Sequence, residues 1–542
     1  MASQSEAIEM RQSLGTRVAP KDGNIGADQS ALVGSPEVER GLNKMLGVRK
    51  QFSDVQILAF ALTYMSIWES MNSVMTFVLF NGGPQTFAWS ILIVYIGAMS
   101  QAASIAEMSS LVPIAGAQYH WTNALAPPGV RKFLTWLQGW MTWLGWVAVL
   151  AAIVNVTILV LQALIALQHP TYVGESWHTA CLMIAMLLFF GAINSVRWTF
   201  FIVPWLELAA GVLHVALFIL FVVVLLVMGS RNTTDYIFFH REVLSGWNNQ
   251  YISWNLGMLT SVGSFISLDS PVHLAEEVRL PKKAVPRAVF WGLAMNGAMA
   301  YAMVICLLSA MGRLDEELAY APYPAAVVLM RVTNSTAATT AMISGIFIIS
   351  ACSALGCVAS VSRLTWAWAR DGGLPQWFAM VNQNHLLPIR AIWLGIAVNV
   401  ALSLINVGST TAFGAILSLA TIALFASYGI AILSMLLARW QNYRGSRTLA
   451  LGEWNMSWWG KYVNSFALLY TCYMMVFLPI PYSLPVTAVT MNYSGPIFGA
   501  SLIFVVAAWV LYGRTKWAGV NSAIVDIVKG RANEVEPHTS HA

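Results

Sequence analysis

Charge is scarce in this sequence. Only 10% of the 542 residues are Asp, Glu, Lys or Arg, where a soluble chain carries about 25%, and that deficit excludes an ordinary soluble globular protein. Cysteine is nearly absent. The five present (Cys181, Cys306, Cys352, Cys357, Cys472) lie scattered in apolar segments without Cys-x-x-Cys spacing, which excludes a thiolate metal cluster and leaves them as small buried residues. No phosphate-binding Gly-rich loop, no Gly-x-Ser-x-Gly elbow, no kinase signature and no His-Glu-x-x-His is found. ATP hydrolysis, covalent catalysis and a metal site are therefore not expected, and neither is any cofactor. The N-terminus is polar and mixed in charge, unlike a cleavable signal peptide, so the first apolar helix must act as the insertion signal.

What the chain has in abundance is apolar length: 58% of residues are hydrophobic, and runs near or above 18 residues recur. They predict an all-α membrane protein with 12 transmembrane helices, at about 55–80, 87–111, 133–167, 179–195, 200–228, 251–279, 288–311, 338–368, 391–407, 411–437, 463–480 and 497–512. The expected organisation is a tail over 1–54, a core over 55–437, two further crossings over 438–513 and a tail over 514–542. Twelve crossings put both termini on one side. Of the 29 lysines and arginines only Arg231, Arg241, Arg313 and Arg331 fall on the loops opposite the termini, so the positive-inside rule makes both termini cytoplasmic. The sequons at Asn232, Asn334 and Asn492 all fall on the predicted outer loops, as glycosylation requires.

Two crossings are poor helices in the middle. The sixth contains Gly263-Ser-Phe-Ile-Ser-Leu-Asp-Ser-Pro271, a weak interior followed by a fresh start, with Ser270 suited to cap and Pro271 to a first turn. The first carries Ser66-Ile-Trp-Glu-Ser-Met-Asn72 near mid-span. Broken backbone at that depth survives only inside protein or beside a cavity, and half-helix ends at the midplane hold solutes in many transporters. Breaks five helices apart enter from opposite faces, the pattern of a five-plus-five inverted-repeat core.

An ionised Glu69 at a helix centre costs about 2.5–3.5 kcal/mol. It is either a counter-ion for a cationic solute, a proton carrier, or a structural partner of a neighbouring polar group. Trp68 beside it offers a π face to an ammonium. Asp269, His273 and Glu276 follow i, i+4, i+7 and share a helix face, with Glu277 four residues from His273. An acid–imidazole–acid column suits proton relay; the alternative is a solvated helix end. Glu207 and His214 share a face by the same spacing, for bonding inside the bundle or for coupling. Glu107 ends the second crossing and fits a loop or gate contact. The stripe Trp136, Trp140 and Trp143 reads as packing rather than an aromatic cage.

Several segments together resemble the fungal amino acid/choline transporter family of the amino acid–polyamine–organocation superfamily. They are Trp68-Glu69, Asn81-Gly-Gly-Pro84, Ala106-Glu-Met-Ser109, Gly116-Ala-Gln-Tyr-His-Trp121, Leu268-Asp269, His273-Leu-Ala-Glu-Glu277 and Val285-Pro-Arg287. The resemblance covers about 50–515. It implies a permease whose two broken helices hold the substrate, here at Ser66, Trp68, Glu69 and Ser70 and at Gly263, Ser264, Phe265 and Ile266; beside it, the residues' own reading leaves Asp269, His273, Glu276 and Glu107 for coupling or gating. Many superfamily members have a Gly-rich first break that cradles an α-carboxylate. This break has no glycine, which favours an amine or a ω-amino acid. The expected partners are a small amine or amino acid such as choline or γ-aminobutyrate, protons (or sodium) and the lipid bilayer, not nucleic acid. The expected site is the plasma membrane. A non-transporting nutrient sensor on the same scaffold is the alternative; sensors usually need a long cytoplasmic domain, and the two tails give little room for one.

Overall fold

The computed structural model describes residues 50–319, 321–382, 384–521 and 525. Of the expected tails, residues 1–49 and nearly all beyond 521 lie outside the described residues. The described chain is helical, with two isolated β-bridges and no named strand.

α1 (Asp54–Met65) starts at a capping box in which the Ser53 hydroxyl accepts from the Gln56 amide, satisfying donors a helix start leaves open. α2 (Ile67–Leu111) follows after one residue and is bent at Gly83, where φ is 71°. A side chain there would meet the Glu242 amide nitrogen at 2.7 Å, so only glycine fits this turn. The turn expected from Asn81-Gly-Gly-Pro84 is thus present, and the helix returns to the face where α1 begins, here called the near face.

α3 (Gln118–Leu125) precedes α4 (Pro128–Gln168), α5 (Ser176–Ser195) and α6 (Val203–Met228). α6 is apolar all round. Val212, Ile219, Val223 and Val227 are exposed on its outside, whereas Glu207 and His214 are fully buried, which is how a helix divides between lipid and bundle. α7 (Gln250–Ser264) and the single turn α8 (Ser270–His273) lead to α9 (Pro281–Ala310). Then come α10 (Pro324–Thr333), α11 (Thr336–Arg370), α12 (Ile389–Gly408), α13 (Thr410–Tyr443), α14 (Gly460–Phe477) and α15 (Ser494–Ala508).

Among the described residues nine helices are long and apolar enough to cross a membrane. The first of these, Asp54–Leu111, holds two expected crossings joined at the Gly83 bend. The 15-residue α7 and the 18-residue α14 fall outside that measure, so the structure supports a multi-pass helical membrane protein without fixing the count at twelve.

α9 runs along α1 and α2, α7 packs on α2, and α4 packs on α11 and α13. A Cβ at Gly292 would lie 2.8 Å from that of Ala61. This close approach brings Asn296, one turn later, onto the gap between α1 and α2. Trp136, Trp140 and Trp143 pack against one another and Trp368, with Trp509 and Trp517 around Trp136; the stripe is packing. The cysteines differ from expectation in part. Cys306 and Cys357 are buried, but Cys181 and Cys472 are exposed on the outside of the bundle, where lipid is as apolar as a core.

Candidate functional site

The first break is a single residue. Ser66 sits in the left-handed region (φ 37°, ψ 48°), a conformation costing a non-glycine residue of order 1–2 kcal/mol. Neighbours hold it there. The Asn296 amide donates to Leu62 O at 3.1 Å, and its oxygen accepts from Ile67 N at 3.3 Å, so one side chain bridges both lips of the break. The Ser66 hydroxyl donates to Thr63 O, and the Ser353 hydroxyl from α11 donates to Tyr64 O at 2.8 Å. A lone amide inside the apolar run 288–311 is the sequence signal for Asn296, which hydropathy alone does not single out.

The second break is longer. α7 ends at Ser264, and Ser267 is left-handed (φ 65°) before α8 begins. The expected second half-helix is shorter than the spacing argument assumed. It is one α turn over Ser270–His273, with Asp269 rather than Ser270 at the cap position, followed by a 3-10 turn over Ala275–Glu277. Pro271 does stand in the first turn, its donor-free place.

The breaks face each other. The Ser70 and Ser264 hydroxyls are 2.7 Å apart. Around them lies a cavity of about 150 Å³ lined by Ser66, Glu69, Ser70, Gly263, Ser264 and Ile266, with Val149, Ile153 and Thr157 of α4 and Ser350 and Ser353 of α11 also on its wall. Two residues expected here are elsewhere. Trp68 is fully buried against His214 and Phe221, with ring centroids at 5.8 and 5.2 Å. Phe265 packs on Tyr95. Each neighbours a lining residue, and consecutive helical positions point in different directions.

Glu69 reaches the cavity with one oxygen in use. Its Oε1 lies 2.6 Å from His214 Nδ1, while Oε2 is buried without a protein partner. Glu207, two turns before His214, accepts from the Thr63 hydroxyl at 2.5 Å. The shared face read from their spacing is therefore turned onto α1 and the start of α2.

Toward the near face, Asp269 gathers a buried cluster. Its Oδ1 accepts from the Tyr428 hydroxyl at 2.5 Å. Its Oδ2 accepts from Gln118 and from Trp146 Nε1 at 3.1 Å, and lies 3.0 Å from His273 Nε2. His273 Nδ1 is 2.7 Å from the Ala115 carbonyl. A carbonyl only accepts, so Nδ1 carries a hydrogen. Nε2 then faces Oδ2 at 3.0 Å, a separation across which the two groups can share a proton.

Glu276 leaves the expected column because the 3-10 turn rotates it away. It accepts both Arg370 Nη atoms at 3.1 Å and the Ala115 amide at 3.2 Å. Glu277 takes Arg363 Nε at 2.6 Å. Glu107 accepts Arg439 Nη2 on both oxygens (2.6 and 2.7 Å) and the Met456 amide at 2.9 Å. The backbone closes the same face: Arg279 N donates to Phe52 O at 3.2 Å, and Phe52 N to Glu277 O at 3.1 Å. Beyond α11, Asp371 accepts the Tyr119 hydroxyl at 2.7 Å and the Asn521 amide at 3.0 Å, and its carbonyl takes Trp517 Nε1 at 2.6 Å. Burial would raise this carboxyl, but His120 and Arg370 beside it hold it below the usual carboxylate range.

At the opposite face, Asn334 is exposed. The Asn232 amide donates to Leu308 O and Gly312 O (2.8 and 2.7 Å), and the Asn492 amide to Leu478 O and Ile480 O (2.7 and 2.9 Å).

Comparison with known proteins gives this architecture a family. Residues 56–504 match the model of the amino acid permease family. Amino-acid permease 2 of Neurospora crassa is 27% identical over 482 residues, 87% of this chain and 86% of that protein. A choline transporter of Saccharomyces cerevisiae is 25% identical over 482 residues, 87% of this chain and 83% of its own. A rice protein named as a BAT1 amino-acid permease homologue is 25% identical over 495 residues, 87% and 92% of the two chains. With two interrupted helices meeting at a small polar cavity inside an apolar bundle, and with a family match over most of its length, the chain belongs to the amino acid permease family and is a multi-pass membrane transporter, not an enzyme.

Proposed function

We propose that this protein is a proton-coupled secondary transporter taking up a small amine or ω-amino acid across the plasma membrane, with both termini cytoplasmic. The observation that carries the reading is the unpaired Glu69 Oε2 at a cavity where two helix breaks meet. A carboxylate oxygen without a partner in a buried site calls for a cation. Carbonyl ends of α7 add negative potential on the same side, and the start of α2 adds positive potential for a solute carboxylate. The Asn296 oxygen occupies the Ile67 amide, which leaves less of a cradle for an α-carboxylate and favours an amine or a ω-amino acid.

The near face then corresponds to the cytoplasm. In this reading residues 55–437 form the five-plus-five core, and residues 438–513 carry the last two of twelve crossings. The cavity is separated from the near face by the Asp269 cluster and three Arg–Glu pairs. Losing a proton shared between His273 and Asp269 would set a lone pair against a carboxylate and loosen the Asp269 cluster. Proton release thereby favours inner opening, and rocking between repeat-based units completes alternating access.

Purified protein in liposomes tests this. An inward proton gradient should drive accumulation of choline or γ-aminobutyrate, and Glu69→Gln should abolish uptake while the protein still inserts and folds. Undiminished uptake by Glu69→Gln removes the carboxylate from the mechanism. Accumulation that requires sodium and ignores pH replaces the coupling ion. Binding without transport would select a sensor.

A further inference from the structure

Glu69 and His214 share a contact that has to answer to two cations. The carboxylate lines the cavity and bonds the imidazole through Oε1, while its Oε2 and His214 Nε2 are both buried without a partner. Both side chains are at most 2% exposed. From the proposed role of Glu69 as the ammonium acceptor, on which this inference rests, we infer that the proton on His214 and the positive charge of the solute compete for one carboxylate. His214 thereby selects between a cationic and a zwitterionic substrate.

The argument is charge balance in a buried space. Glu69 supplies one negative charge. The other titratable groups facing the pair add no cation. Glu207 on the same helix is hydrogen-bonded to Thr63, and Tyr323 at the start of α10 stands within electrostatic reach of Glu69. From α1 comes Tyr64, bonded to Cys357 of α11; α11 also brings Cys352 beside Glu207; α9 brings the neutral Asn296. Among the described residues His214 is the one group in ion-pair contact with Glu69, and none is in such contact with Glu207.

When His214 is an imidazolium, the pair is neutral. A cation arriving at Oε2 would then leave a net positive charge in low dielectric, which is strongly disfavoured. A zwitterion brings its own carboxylate and keeps the balance. When His214 is neutral, it still donates from Nδ1, and the bare charge of Glu69 favours a cation. Trp68, whose ring lies 5.8 Å from the imidazole, covers it with apolar surface and sharpens the choice. One proton leaves for each cation bound, so the affinity ratio of cation to zwitterion must rise with pH. The limit is about tenfold per pH unit for one linked proton.

The test measures half-saturating concentrations of choline and of γ-aminobutyrate in proteoliposomes, at equal pH on both sides, from about pH 5.5 to 8 where imidazoles titrate. The ratio should rise with pH in the wild type and be flat in His214→Gln; His214→Lys should accept the zwitterion and reject choline. The wild-type profile decides even if a variant fails to fold. Parallel profiles for the two solutes, or a pH-dependent ratio that persists in His214→Gln, overturn the inference while leaving the transport reading standing. Failure to bind either solute at any pH overturns the transport reading, and this inference with it.

Discussion

The Ser70 and Ser264 hydroxyls meet at 2.7 Å across the cavity, joining the start of α2 to the end of α7. The two residues are 194 positions apart, so this link reports directly on whether the broken helices stay together. Single alanine substitutions at either position should each cost about 0.5–1.5 kcal/mol of stability. The double variant should cost less than their sum. A double-mutant cycle on thermal unfolding in detergent measures the coupling; strictly additive effects would mean that the hydroxyls do not act as a pair.

Asn296 should matter more than any cavity serine. Asn296→Ala strands the Ile67 amide in the interior and takes one of two donors from the Leu62 carbonyl, which keeps Ser66 N at 3.2 Å, a loss of about 1–3 kcal/mol for the buried amide left unpaired. Asn296→Asp keeps the acceptor for Ile67 and loses the donor to Leu62, and should fall between. Melting temperature and solute uptake measured on the same preparations check the order wild type, Asp, Ala.

The Arg370–Glu276 pair is nearly buried, with side-chain exposures of 12% and 3%. Breaking such a pair by removing one partner costs about 3–5 kcal/mol. Glu276→Gln and Arg370→Met should each destabilise the closed near face, and exchanging the two residues should restore part of the loss. Reactivity of an engineered cysteine at Ala115 toward a membrane-impermeant thiol reagent, compared across these variants, reads the opening.

Asp371 sets a pH range. Its carboxyl is held below its ordinary value, so its contribution is fully present above about pH 4 and is lost as pH falls through the depressed value. The contacts it makes with Tyr119 and Asn521 should therefore stay intact between about pH 5 and 8. A change in transport across that range then does not come from Asp371. Asp371→Asn should weaken those contacts without altering the pH profile of uptake, which a comparison of the two profiles tests.

Of the three sequons on the face opposite the near face, Asn334 is the exposed one, and on the proposed orientation it is the one expected to take a glycan. The amides of Asn232 and Asn492 are already donating twice to backbone carbonyls, and a glycan would break those bonds. Expressed in a glycosylating host, Asn334→Gln should abolish the glycosidase-sensitive shift on a gel, whereas Asn492→Gln should leave it unchanged.

Much of this molecule is written in local sequence. Apolar length dictates helices that cross a bilayer, because an unsatisfied peptide group in lipid has no alternative. The second break follows from its glycine, serines, aspartate and proline, and the first from Ser66, Ser70 and Asn72, residues whose effect on the backbone reaches only a turn or so. The importance of Glu69, Asp269 and His273 follows from the cost of a charge at that depth. Spacing misled where it assumed a regular helix. Glu276 sits on a 3-10 turn and goes to Arg370; Trp68 is the converse, because the helix is already regular there and turns it away from the cavity that its neighbour Glu69 lines. Which partner each buried group takes was settled only by packing. His214 for Glu69, Gln118 and Tyr428 for Asp269, and Asn296 across the first break come from 145 to 229 positions away. No pattern within one helix encodes such choices. They are fixed by which helix faces come together, and a buried polar group bonds to whatever that approach puts within reach.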